Sequence, residues 1–212
     1  MTKRAYFLDT AHAIICYTVF MKWIIGIDEA GRGPLAGPVS VGLVKIPADF
    51  DWALVPGVND SKKLSEKKRE VIFEIAKELA KKGSIEYSVK SVSAQSIDAK
   101  GIVPAIVRAI ESGVEDLQLS PADCFIKLDG SLKAPKAFRQ ETIIGGDGKE
   151  AIIGLASIMA KVTRDRYMIK QAEIYPQYGL AQHKGYGTKK HREAILKHGC
   201  SPIHRKSYCK NC

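Results

Sequence analysis

Asp28 and Glu29 stand side by side at the end of the apolar run "WIIGID", and the turn "GRGPLAG", with its single arginine, follows at once. Two further acids sit in comparable places: Asp129 closes "CFIKLDG", and Asp147 follows Gly145 and Gly146 in "ETIIGGD". Carboxylates a few ångströms apart push one another toward protonation, so four of them gathered in one place require cations. Hard oxygen ligands of this kind suit magnesium or manganese. Two such ions, about 4 Å apart, activate an attacking water and stabilise the leaving oxygen of a phosphodiester. The ions would reverse the local sign, so that a cluster of acids draws a phosphate in. A second reading stays open on residue types alone, in which the acids are turn residues and helix caps. Neighbouring side chains of a strand also point to opposite faces. Asp28 and Glu29 therefore share a site only if the strand ends or twists there, which Gly31 and Gly33 permit.

A dinucleotide-binding loop is the rival reading of the glycine turn. The spacing is G-x-G-x-x-x-G, Pro34 and Pro38 interrupt it, and the preceding acids would oppose a pyrophosphate. What Gly31, Arg32 and Gly33 offer is close backbone approach to a sugar or phosphate. In "AQHKGYGTKKH", Tyr186 lies between glycines and among His183, Lys184, Lys189 and Lys190. An aromatic ring in a basic loop is a stacking platform for a base or sugar; packing of the ring on the core is the alternative. Lys62 and Lys63 in "NDSKK", and the cations of "KVTRDR", add groups that hold phosphates. Asp165 lies between Arg164 and Arg166 and reads as one side of a structural ion pair, not as a fifth catalytic acid.

The acids need a scaffold, and the pattern supplies one. "WIIGID" reads as a buried strand and "PVSVGLVKI" as its antiparallel neighbour. A helix follows Ser65 as N-cap and stops at Gly83, with Val71, Ile72, Ile75, Ala76 and Leu79 as its apolar stripe. "SIEYSVKSV" alternates as a strand, and "IVPAIVRAIESG" reads as a helix with Pro104 in its first turn. "CFIKLDG" and "ETIIGGD" are further strands, the latter running to Asp147. "AIIGLASIMAKV" is apolar nearly all round, as a helix packed inside the molecule would be. Strands first, then strands alternating with helices, predict an α/β fold with a mixed sheet, covering helices and a helical C-terminal part. The acids would then lie at strand ends, where open sheets form their binding crevice.

The chain of 212 residues carries 33 basic and 23 acidic side chains, a net charge of +10. Such a surplus suits polyanionic partners, nucleic acid or an anionic membrane, or else lysine-rich helix faces. Five scattered cysteines, Cys16, Cys124, Cys200, Cys209 and Cys212, do not form a disulfide framework and fit a reducing cytoplasm. "YCKNC" holds one CxxC, for which Cys200, His198 and His204 are conceivable partners in a zinc site; frayed free thiols are the plainer reading. Residues 11 to 21 are apolar but too short to span a bilayer, and residues 1–21 read as an extension ahead of the fold.

"GIDEAGRGPLAGPV", "NDSKKLSEKKR", "LDG", "GD" before "ASIMAKVTRDR", and "YPQYGLAQHKGYGT" together resemble ribonuclease HII, the type 2 ribonuclease H, in the family's own order from about Lys22 to Ser207. The resemblance implies a ribonuclease H-like fold of five strands in a mixed sheet with flanking helices and a helical C-terminal extension. It implies a catalytic domain over 22–207, with a core to about 170 and a helical part over 171–207, a tail over 208–212, and a monomer. It implies that Asp28, Glu29, Asp129 and Asp147 bind two divalent ions. Gly31, Arg32, Gly33 and Tyr186 would sense the ribose 2′-hydroxyl, while Lys62, Lys63 and Lys184 steer phosphates. The substrates implied are RNA/DNA hybrids and single ribonucleotides embedded in DNA, cut on the 5′ side to leave 3′-hydroxyl and 5′-phosphate ends. Two positions depart from the family: Gly145 stands where a lysine is usual, and the asparagine common near Gly101 is missing. The extension over residues 1–21 is too short for the substrate-binding domain of the sister type, ribonuclease HIII. A sliding-clamp contact is left open. Two rival functions are a non-catalytic nucleic-acid-binding protein and an enzyme using a nucleotide cofactor.

Overall fold

The computed structural model describes residues 21–58 and 64–210, so the N-terminal extension, Lys62, Lys63 and Cys212 lie outside the described residues. Five strands, β1 (Trp23–Ala30), β2 (Val39–Pro47), β3 (Glu86–Val92), β4 (Cys124–Asp129) and β5 (Arg139–Ile143), form one sheet in the order β3-β2-β1-β4-β5. β1 to β3 are an antiparallel meander. β4 joins β1 in parallel, and β5 joins β4 in parallel. The mixed sheet expected from the sequence is therefore present, and all ends that matter for the acids lie on one edge.

Helices cover both faces. α1 (Glu66–Lys81) begins at Ser65, whose hydroxyl accepts from the Lys68 amide, and stops before Gly83 at φ +74°. α2 (Ala94–Lys100) and α3 (Ile102–Asp116) carry the chain from β3 to β4. α4 (Ala151–Ile174) is the long apolar helix, and α5 (Leu180–His183) and α6 (Lys189–His198) make up the C-terminal helical part. On one sheet face Ile25, Ile27, Val41 and Leu43 pack against Ile106, Ala109 and Ile110 of α3. On the other, Val44 and Ile46 pack against α4 and against Ile72, Phe73 and Ala76 of α1. A third cluster, with Leu35, Met168, Tyr178, Leu180 and Ile195, welds the turn after β1 to the C-terminal helices.

Two glycines seat α4. A Cβ on Gly26 would lie 2.2 Å from the Ile152 carbonyl oxygen, and one on Gly42 would lie 2.3 Å from that of Ala156. The helix thus rests backbone against backbone on β1 and β2, which explains its apolar residues all round.

Three local expectations need correction. Val71 is exposed, and Phe73 takes the buried place beside Ile72 and Ala76, under the Arg166 guanidinium at 4.5 Å. β5 ends at Ile143, short of Asp147, because Gly145 turns left-handed at φ +65° and residues Gly146–Gly148 wind into a 3-10 turn. Cys209 is not frayed but buried, with its sulfur against the Leu35 carbonyl. Among the described residues no helix is long and apolar enough to cross a membrane.

Gly42→Ala should destabilise the protein by about 1–3 kcal/mol, the range for forcing a methyl into a filled core. Urea unfolding checks it: an unchanged midpoint would mean that α4 shifts freely on the sheet.

Candidate active site

The parallel ladder between β1 and β4 stops at Ile27 and Leu128. Asp28 and Asp129 are the next residues on the two strands, so both carboxylates emerge where the ladder ends. β1 itself runs on, still paired to β2 through Glu29 and Val41. The sequence reading required the strand to end or twist at the acids; it does not end there. It outruns its neighbour instead, and the space beyond β4 lets the two successive side chains line one cleft of about 410 Å³.

Asp28 is buried and leans toward α4, bonded to the Ser157 side chain and to the Glu29 amide at 2.7 Å. Burial pushes its carboxyl up to about 8; the Ser157 bond works against this, while the charges of Asp129 and Glu29 add to it. Glu29 is also raised by burial, opposed by the Arg32 guanidinium 3.4 Å away. Asp129 accepts from the Gly146 amide at 2.6 Å, which ties it to the turn carrying Asp147. Asp147 is buried at the foot of α4 behind that turn; it is not on the cleft wall. The structure therefore brings Asp28, Glu29 and Asp129 together and sets Asp147 one residue behind their contact. Among the described residues no group of three or more His, Cys, Asp and Glu side chains is arranged to hold a metal ion.

The facing wall is the glycine turn. Gly31 has φ +91°, and a Cβ there would lie 2.0 Å from Arg164 Nε, so only glycine fits. Two fully buried arginines hold the turn by its carbonyls. Arg205 donates to Gly31, Arg32 and Gly37 at 2.6, 2.8 and 3.0 Å, and Arg164 donates to Pro38 and Ala36 at 2.9 and 3.0 Å. Burial lowers both, Arg205 to about 10 with Arg164's charge contributing; a guanidinium keeps its proton in proteins, so both are cations. Arg32 and Gly33 remain exposed on the cleft side.

Tyr186 lies on the cleft, not in the core. Its ring is 44% exposed and faces Lys161 Nζ at 5.7 Å and the Arg164 guanidinium at 5.9 Å. Lys184, expected to steer phosphates, is instead buried, with its ammonium on the Ala181 carbonyl and 3.4 Å from Glu66. Asp165 does form a structural ion pair, but with Lys161 at 2.8 Å, one helical turn away; Arg166 turns to Glu70 and Glu74. The site residues missed in the sequence are Ser157 and Arg69, both on the cleft wall. A lone hydroxyl within the apolar stretch of α4 was the available signal for Ser157.

A family model described as Ribonuclease HII matches residues 25–211. The chain is 50% identical over 186 residues to the Ribonuclease HII of Endomicrobium trichonymphae, covering 87% of this chain and 84% of that protein. Among solved structures it is similar to the ribonuclease H2 of Pyrococcus horikoshii OT3, with TM-score 0.71, 27% identity, and 89% and 95% of the two chains covered. It is equally similar in shape to the RNase HII of Archaeoglobus fulgidus, solved in complex with PCNA, with TM-score 0.71, 26% identity, and the same coverage.

The Asp28 shift sets a pH dependence for the metal-free protein. The folded carboxyl keeps its proton up to about pH 8, whereas an unfolded aspartate releases it near pH 4. Between those values the folded state binds the extra proton, so stability falls as pH rises. With a chelator present, Asp28→Asn should melt higher than the unmodified protein at about pH 8 and equally at about pH 4. Thermal melts that run parallel across the whole range would move the effect to another group.

Proposed function

The chain belongs to the ribonuclease HII family and is a ribonuclease H, and we propose that it cuts both the RNA strand of RNA/DNA hybrids and DNA containing single ribonucleotides, on their 5′ side. The supporting observation is one cleft with two unlike walls: Asp28, Glu29 and Asp129 on one, Gly31, Arg32, Gly33 and Tyr186 on the other. The first wall suits phosphodiester chemistry, and the second suits recognition of one sugar.

The donor set fits a hard divalent cation. Every candidate ligand is a carboxylate, and the Asp28 carboxyl, raised chiefly by burial and further by the charges of Asp129 and Glu29, is one that a bound cation would bring back down. Asp28, Glu29, Asp129 and Asp147 would hold magnesium or manganese ions, which when bound supply the hydroxide nucleophile and neutralise the leaving oxygen. No protein nucleophile is called for. Ser157 orients the Asp28 carboxylate, and the Gly146 amide orients that of Asp129.

The ribose 2′-hydroxyl is what separates RNA from DNA at a given position. The turn's carbonyls at Gly31 and Arg32 are bound from behind by Arg205, so its backbone is fixed before substrate arrives. Gly33 has open space around it, which allows a sugar to approach the main chain. Tyr186, lining the same cleft, would lie against that sugar. Lys161, Arg69 and Arg32 on the cleft wall, together with Lys62 and Lys63, would hold the phosphates, consistent with the net charge of +10. Cytoplasmic action as a monomer completes the reading.

The deciding assay is cleavage of a labelled DNA–ribonucleotide–DNA duplex with magnesium and manganese separately, against all-DNA and all-RNA duplexes. A non-catalytic binding protein would retard the duplex without cutting it. Asp129→Asn keeps an oxygen for the Gly146 amide, so the fold should persist while cleavage drops to background; full activity would mean the acids are not the ion ligands. Tyr186→Ala should lose about tenfold or more in kcat/KM at single ribonucleotides, in line with a lost stacking contact of roughly 1–3 kcal/mol. An unchanged preference for the ribonucleotide would leave the tyrosine only a structural place.

A further inference from the structure

Behind Tyr186 lies a file of buried histidines that the cleavage chemistry does not use. His191 is fully buried, and His204 is 2% exposed. His191 Nδ1 lies 2.9 Å from the Tyr186 carbonyl oxygen, and its Nε2 lies 3.0 Å from His204 Nε2. His204 Nδ1 lies 3.0 Å from the Ser201 amide and 2.8 Å from its hydroxyl. The tautomers follow from the ends of this chain. A backbone N–H only donates, so Ser201 makes His204 Nδ1 an acceptor and puts the proton on Nε2. His204 Nε2–H then donates to His191 Nε2. His191 carries its proton on Nδ1 and donates it to a carbonyl, which only accepts.

His183 stacks on His191 at 4.3 Å, and the same logic applies to it. The Gly185 amide donates to its Nδ1, so its Nε2–H donates to the Tyr178 carbonyl. Burial holds all three rings below the ordinary histidine range, His191 at about 4, and the neighbouring cations Lys184 and Arg192 press the same way. The file also reaches the glycine turn. His204 is bridged to Ala36, and the next residue, Arg205, holds the carbonyls of Gly31 and Arg32.

We propose that His191 and His204 are positioning residues: a one-way file of hydrogen bonds from the Ser201 amide to the Tyr186 carbonyl sets the tyrosine against the Gly31–Gly33 turn and thereby sets discrimination for one ribose. This inference rests on the reading of Tyr186 given above. It does not depend on that reading for its first test. Nitrogen-15 NMR of the full chain at about pH 7 should find His191 as the Nδ1–H tautomer and His183 and His204 as the Nε2–H tautomer. The reverse tautomer or an imidazolium at His191 or His204 overturns the file.

The second test compares His191→Ala with His191→Asn, whose amide nitrogen occupies the Nδ1 position and still donates. The readout is the ratio of kcat/KM on a single embedded ribonucleotide to that on a long RNA/DNA hybrid. His191→Ala should lower this ratio about tenfold, and His191→Asn should restore most of it. An unchanged ratio in both variants, or an equal loss in both, overturns the positioning role. If His191→Ala does not fold, the ratio in His191→Asn decides, with a value near the unmodified protein's upholding the role. Absence of any junction cleavage by the unmodified protein would overturn the proposed substrate, while the tautomers would still stand or fall by NMR.

Discussion

Everything at the active edge follows from β1 outrunning β4. Had the parallel ladder continued past Ile27 and Leu128, Asp28 and Glu29 would face opposite sides of a closed sheet. Because it stops, Asp28 meets α4, Glu29 meets the turn, and Asp129 sits beside both. The electrostatic cost of that meeting is visible in the Asp28 carboxyl, pushed up to about 8 chiefly by removal from water. Arg32 relieves Glu29, and Ser157 relieves Asp28.

Geometry, not distance in sequence, decides which cations meet acids. The two most deeply buried cations, Arg164 and Arg205, have carbonyl oxygens as acceptors and no carboxylate. Asp165, next to Arg164 along the chain, turns away to Lys161. A buried arginine beside Asp28 would have lowered its carboxyl; placed under the glycine turn, it holds backbone instead. Part of the chain's basic surplus thus serves as struts inside the fold.

Much of this was legible in the sequence, because it depends on local patterns. The alternating runs became β1 to β4, Ser65 and Gly83 bounded α1, and the nearly all-apolar run became the inner helix. The adjacency of Asp28 and Glu29 to glycines, and of Tyr186 to lysines, marked the cleft. What stayed hidden depends on partners far along the chain. Arg205 reads as one more basic residue near the C-terminus until it is found on Gly31, 174 residues away. Lys184 and Tyr186 lie two apart and look equally available, yet a left-handed turn at Lys184 buries one and exposes the other. Asp147 looked like a strand end because the left-handed bend at Gly145 is invisible in residue types that also suit a strand terminus.

The seat of α4 on Gly26 and Gly42 has a wider consequence. Ser157, Lys161 and Arg164 are spaced four and three residues apart, so they share one stripe of that helix. This stripe touches Asp28, Tyr186 and the backbone at Pro38 in turn. With its main chain lodged in the sheet at the near end, the helix has no room to slip lengthwise, and the span from Asp28 to the Tyr186 ring is fixed. A shift of this one helix would therefore disturb the Asp28 carboxyl, the Tyr186 ring and the glycine turn together.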